Sequence, residues 1–212
     1  MGSPYPTLGR QGRRAEASKL AIIEAAGEVL SERGAQGFTL DAVAERADVV
    51  VQTIYNRVGN RTALMVAVVE RAVVENRRYV DAAYTSGAPA EERIRAAFSA
   101  YARFALERPH QFKLITSPPD DPEVLARTDE LISLHMHHLA GALREASIEG
   151  AVGTDLDPDI AAPALWAMCS GVLMLGTRAS RTPVTGTQLT QFLDFVAATI
   201  THGIKPQQTD RT

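Results

Sequence analysis

The chain has 212 residues, a formal net charge of −3, 45% hydrophobic residues and 22% charged residues, the composition of a globular protein with material for one or two cores. Its single cysteine, Cys169, excludes an internal disulfide and a cysteine-based zinc finger. No apolar run reads as long and clean enough to span a bilayer, and no signal-peptide core opens the chain, so a cytoplasmic protein without a membrane partner is expected.

In chain order, residues 1–14 read as a flexible basic arm, with Arg10, Arg13 and Arg14 ahead of the first acid, Glu16. Such an arm follows a phosphate backbone or a minor groove, or it is a solubilising tail. The charge is unevenly distributed along the chain. Residues 1–64 hold 8 basic against 7 acidic side chains, and residues 65–212 hold 14 against 18. A first helix is expected from near Glu16 to Arg33, with Leu20, Ile23, Gly27 and Leu30 on one stripe and Gly34 closing it.

Gly37 to Leu64, GFTLDAVAERADVVVQTIYNRVGNRTAL, carries the most information. Leu40, Val43, Ala44 and Ala47 make one apolar helix face. Thr39 is placed to cap that helix, and Asp41 suits the positive end of its dipole. A second helix is expected over Val50–Val58, with Ile54 and Val58 turned inward beside Val49. Val51, Gln52, Thr53, Tyr55 and Asn56 are then left outside. No acid occurs from Val49 to Arg61. Gln and Asn pair bidentately with adenine edges and valine packs on a thymine methyl, while Thr53 and Tyr55 donate to phosphates. Gly59-Asn60 breaks the helix, Asn60 caps the next one, and Arg61 in its first turn reads as a phosphate anchor. Together this is a helix-turn-helix whose second helix enters the major groove.

The stretch resembles the N-terminal domain of the TetR family of transcriptional regulators. The match runs over ERGAQGFTLDAVAERADVVVQTIYNRVGNRTAL, preceded by the helix RRAEASKLAIIEAAGEVLSERG, and covers about the first third of the chain. Gly34, Gly37, Phe38, Thr39, Thr53, Ile54, Tyr55, Gly59 and Arg61 carry it. Asp48 departs from the usual turn glycine, Val50 from the usual Ser or Thr cap, and Arg57 and Val58 from the usual aromatics. These departures bear on the operator sequence. Asp tolerates a left-handed backbone better than most residues. The resemblance implies a repressor whose last two long helices form a homodimer interface and whose body encloses an apolar cavity for a small effector.

Beyond the head, a long helix is expected from Asn60 to Tyr84, ended by Ser86-Gly87-Ala88-Pro89. Further helices are expected over Ala90–Arg108, Pro109–Thr116 and Pro122–Ile148, with a Pro-rich turn whose Asp120 and Asp121 read as solvated, and Gly150 and Gly153 mark a loop. Asp157-Pro158 starts another helix, to about Ser180, that is apolar on nearly every side and must be buried all round, against a second copy if necessary. A last helix is expected over Thr187–His202, with Leu189, Phe192, Leu193, Val196 and Ile200 apolar. The fold class is all-α: residues 15–64 as a three-helix helix-turn-helix domain, residues 65–205 as a larger helical bundle for ligand binding and dimerisation, and residues 206–212 as a disordered tail.

No nucleophile elbow, phosphate loop or HExxH occurs, so no enzyme and no cofactor are expected. Tyr101, Phe104, Phe112, Trp166 and Cys169 are candidate linings for a largely hydrophobic effector, and equally suitable as core. His135 and His138, three apart on a helix, read as a pair of polar-face or pocket histidines, or instead as groups in a pocket that bond an acidic or carbonyl effector. Two imidazoles fall short of a zinc site. Two other classes remain: a helical protein-interaction module, and a DNA-binding regulator without an effector.

Overall fold

The computed structural model describes residues 9–177 and, beyond them, Thr187, Gln188, Gln191, Asp194, Phe195 and Ala198, which are helical. The apolar positions of the expected last helix, the 206–212 tail and residues 1–8 lie outside the described residues. Among the described residues the chain is all helix: α1 Arg10–Gly37, α2 Leu40–Arg46, α3 Val51–Arg57, α4 Arg61–Tyr84, α5 Ala90–Glu107, α6 Pro109–Thr116, α7 Pro122–Ile148 and α8 Pro158–Thr177. The all-α expectation holds, with boundaries set by the breakers and caps visible in the sequence.

Two compact units divide the chain. The first takes residues 1–71 together with 118–128, and the second takes 72–117 and 129–212. The division therefore falls within α4 at Arg71 rather than at Leu64, and the start of α7 belongs with the first unit.

In the first unit α1 begins six residues before the expected start. Arg10, Arg13 and Arg14 thus lie on its opening turns rather than on an arm. Gly9 precedes the helix without a side-chain cap; Arg10, Gln11, Arg13, Arg14 and Ala15 are good helix formers, and the one unfavourable residue, Gly12, is carried within the helix. At the other end Gly34 has φ 65° and ψ −178°, a backbone that essentially only glycine takes, and it breaks α1 where expected. Ile22, Ala26 and Val29 of α1, Val43 of α2, Ile54 of α3 and Leu64 of α4 are buried, forming the unit's apolar core. α1, α2 and α3 pack on one another. Thr39 Oγ1 accepts from the Ala42 N–H (3.1 Å), and Asn60 Oδ1 accepts from the Ala63 N–H (2.8 Å), so both expected caps form. Asp121 departs from the solvated-turn expectation. Its Oδ1 caps α7 through the Glu123 N–H (3.1 Å), and its Oδ2 accepts from the Thr62 hydroxyl (3.2 Å).

The second unit packs α5, α6 and α8 together. Tyr101 and Phe104 of α5, Phe112 and Ile115 of α6, and Cys169 and Leu173 of α8 form one core cluster with Ala72, Val73 and Val80 of α4. A second cluster joins Ala90 and Ile94 to Leu139 and Leu143 of α7 and Ala161, Ala162 and Leu165 of α8. Asp157 starts α8 as expected, its Oδ1 accepting from the Asp159 N–H (2.9 Å).

One expectation needs correction. At 20 residues and a mean hydropathy of 1.6, α8 is long and apolar enough to cross a membrane by length and composition. The buried core helix of a globular protein passes the same test. Within the unit one side of it is core: Leu165, Cys169 and Leu173 are buried, while Ile160, Met168, Met174 and Leu175 are exposed.

Candidate DNA interface and apolar ligand cluster

The turn between α2 and α3 sets the aim of α3. Asp48 has φ 53°, and the Val49 N–H donates to the Ala44 carbonyl (3.0 Å), closing the six-residue ring of a Schellman stop. The left-handed position is occupied by the acid that stands where the family pattern has glycine. No side chain caps α3, since Val50 has no oxygen to offer, and Val50 is 69% exposed. Ile54 is fully buried and anchors α3 to the core, whereas Val58 and Val49 are only half-buried.

With Ile54 inward, Gln52, Tyr55, Asn56 and Arg57 are exposed, and Val51 and Thr53 are half-buried. The Gln52 Nε2 donates to Asn56 Oδ1 (3.1 Å), so the two amides form one unit across a helical turn. That pair leaves the Asn56 amide hydrogens and the Gln52 carbonyl oxygen with hydrogen-bonding capacity to spare on an exposed face. The acids of the unit gather elsewhere. Arg46 of α2 bonds Glu28 (2.9 Å) and Glu32 (2.6 Å) of α1, and this pairing holds the Glu32 carboxyl below its usual range. α3 itself carries no acid, and two acids of α1 are paired with Arg46.

The other candidates behave differently. Thr39 is exposed, and its cap uses Oγ1 as acceptor, which leaves the hydroxyl hydrogen for a phosphate. Arg13 is exposed on α1. Arg61 does not stand out as a free anchor. Its Nε donates to the Phe38 carbonyl (2.8 Å), an Nη donates to the Ala35 carbonyl (2.6 Å), and the guanidinium lies 5.7 Å from the Phe38 ring centroid. It clips the start of α4 to the segment joining α1 and α2.

In the second unit the seven ligand candidates fall into two groups. Tyr101, Phe104, Phe112 and Cys169 share one cluster, with Trp166 packed against it. The Tyr101 ring meets Phe112 edge-on at 5.7 Å and lies 6.5 Å from the Trp166 ring. Its hydroxyl is 2.9 Å from Ser170 Oγ. Burial drives the Tyr101 pKa above its ordinary value, with hydrogen bonds from Ser170 and Trp166 opposing. Cys169 is pushed up to about 12 by burial, which leaves an unreactive thiol at neutral pH.

His135 and His138 stand apart from this cluster, against Tyr84 at 5.9 and 6.2 Å. His138 is exposed and His135 half-buried. Burial lowers the His135 pKa to about 4, with His138 and Arg77 adding to the effect and Asp81 opposing it, so the ring is neutral at pH 7. Among the described residues no three His, Cys, Asp or Glu side chains come close enough to hold a metal.

Asn76 of α4 was missed. It is 5% exposed, and its Nδ2 has no acceptor among the described residues. The signal was present as a polar residue interrupting the helical apolar stripe Ala72, Val73, Val80. Arg46 was missed too, because its partners sit on another helix.

Two family models match this chain. The one described as bacterial regulatory proteins, tetR family, covers residues 22–68, and the one described as tetracyclin repressor-like, C-terminal domain, covers residues 94–200. No curated protein sequence matches significantly. Among solved structures, the fatty acid degradation regulator FadR from Bacillus halodurans is 16% identical with a TM-score of 0.73, over 87% of this chain and 98% of that one. The transcriptional regulator FadR from Bacillus subtilis, in complex with stearoyl-CoA, is 18% identical with a TM-score of 0.74, over 87% and 98%. A TetR-like transcriptional regulator from Rhodococcus sp. RHA1 is 18% identical with a TM-score of 0.69, over 93% and 98%.

Proposed function

The chain belongs to the TetR family of bacterial regulatory proteins, and from that membership we propose that it is a cytoplasmic repressor that binds a near-palindromic operator as a homodimer and is released by a small, largely hydrophobic effector. The observation that carries the DNA-binding part is α3. A buried Ile54 turns Gln52, Tyr55 and Asn56 outward on a face without acids. Gln52 and Asn56 read base edges, and Thr39, Thr53 and Tyr55 set register through phosphates. Arg13 on α1 adds a phosphate or minor-groove contact.

The exposed apolar side chains of α8 support dimerisation through that helix. Ile160, Met168, Met174 and Leu175 form too much unpartnered surface for a helix that stays alone. The aromatic cluster of Tyr101, Phe104, Phe112 and Trp166 supports an apolar effector, and a structural relative bound to stearoyl-CoA favours an alkyl chain. The effector acts by binding better to the state that cannot engage the operator. A hundredfold loss of operator affinity needs a preference of only about 2.7 kcal/mol.

The test is selection of bound sequences from a random duplex pool by purified protein at moderate salt. A palindromic consensus is expected. No enrichment by folded protein would sink this reading and favour a helical protein-interaction module.

A further inference from the structure

Among the described residues three polar side chains are buried: Asn76, Thr128 and Ser170. Thr128 donates its hydroxyl hydrogen to the Val124 carbonyl (2.7 Å), and Ser170 shares its hydrogen bond with Tyr101 (2.9 Å). Asn76 alone of the three has a buried donor, Nδ2, without an acceptor among the described residues. A buried, unpaired amide destabilises a fold, and a leucine of similar volume would avoid the penalty. Native structures keep such groups where strain, a functional role or a bound water, ion or ligand accounts for them.

The place of Asn76 indicates what completes it. Ala72 and Val73 precede it by one helical turn, and Val80 follows by one turn, so the three share its face of α4. All three belong to the cluster that holds Tyr101, Phe104, Phe112 and Leu173. The amide is thus presented to the aromatic core already assigned to the effector.

We propose that Asn76 is the polar anchor of the effector site and selects an alkyl effector bearing a neutral carbonyl oxygen, of the ketone, ester or thioester class. The inference rests on the effector reading given above. Nδ2 is a donor only, so the ligand atom it meets must accept. A carboxylate is disfavoured, because no Lys or Arg is fully buried among the described residues, and the largely buried Arg93 is already paired with Glu145. An ammonium would leave the amide unpaired. A carbonyl on an alkyl chain satisfies both requirements: the chain packs on the aromatic rings, and the oxygen takes the amide hydrogen.

Trp166 is the only tryptophan and packs against the cluster, so its emission reports binding there in the full-length protein. Titrations with methyl hexyl ketone, octene and octanoate test the proposal. The ketone is expected to bind roughly threefold to tenfold tighter than octene, the value of one buried neutral hydrogen bond. Octanoate is expected to bind weaker than the ketone. In Asn76→Leu the advantage of the ketone over octene should vanish while octene binds as before. Equal binding of ketone and octene, tighter binding of octanoate, or a ketone preference that survives in Asn76→Leu would each overturn the anchor and leave the effector reading standing. No response of Trp166 to any of the three would remove the effector reading itself. Should Asn76→Leu fail to fold, the native ranking decides together with Asn76→Gln, which displaces the donor and must weaken the ketone alone.

Discussion

Replacing Arg61 by alanine separates two jobs that an arginine at the start of a helix can perform. The sequence reads it as a phosphate anchor, whereas the structure spends two of its nitrogens on the Phe38 and Ala35 carbonyls and lays the guanidinium near the Phe38 ring. A half-buried hydrogen bond from a charged donor is worth about 1.5 kcal/mol at the low end. The second bond is exposed and adds a few tenths, and an exposed cation–π contact adds about 0.5 kcal/mol. Their sum, about 2 kcal/mol, is a loss of roughly thirtyfold in local opening equilibrium. Trp166 lies in the other unit, so hydrogen exchange of peptides spanning residues 34–64 is the direct readout. Arg61→Ala is expected to exchange there roughly thirtyfold faster. The salt dependence of operator binding, per molecule still folded, should stay unchanged. A phosphate anchor predicts the reverse: native exchange rates, and a slope of log affinity on log salt reduced by about 0.9. That result would refute the clip.

Three further outcomes follow from the same geometry. Because Gln52 and Asn56 are bonded to each other, Gln52→Ala and Asn56→Ala should relax a selected DNA consensus at the same base pairs, each costing about 1–3 kcal/mol, with a double variant little worse than either. Relaxation at separate base pairs would show that they read independently. Tyr101→Phe should leave Ser170 Oγ buried and unpaired at a cost of about 1–3 kcal/mol in denaturant unfolding followed by Trp166, and adding Ser170→Ala should restore most of it; an additive double variant would contradict the pairing. His135 is held down to about 4 in the fold, so the unfolded chain takes up its proton first. Stability should therefore be full above about pH 6.5 and fall as the pH drops from there to about 4, by up to about 3 kcal/mol. His135→Asn should flatten that window relative to the native protein in urea unfolding, and an unchanged difference between pH 7 and pH 5 would place the titration elsewhere.

Helix ends were legible because their causes are local. Thr39 and Asn60 cap, Gly34 and Gly59 break, and Asp157-Pro158 starts a helix through atoms within four residues of each other. Most of the outward face of α3 was legible for the same reason: burying Ile54 at helical spacing turns Gln52, Tyr55 and Asn56 out, whereas Val51 and Thr53 end half-buried. Where no strong local signal acts, the reading was less exact, as with α1, which continues back to Arg10 through Gly12, with no proline or capping residue between Arg10 and Ala15 to start it later.

What the linear chain left undecided depends on partners far apart in sequence. Arg61 is an anchor or a clip according to where carbonyls 23 and 26 residues away lie. Asp121 became a helix cap bonded to Thr62, 59 residues away. The seven ligand candidates divide into an aromatic cluster and a histidine pair because α5, α6 and α8 meet around Tyr101 while His135 and His138 face Tyr84. Asn76 reads in sequence as one polar residue on a long helix, and only packing removes its water without supplying an acceptor. Caps, breakers and helix faces are short-range properties that residues carry with them. Desolvation and pairing exist only once distant helices have closed around a group, so tertiary structure alone decided which polar side chains are spent and which are still available to a ligand.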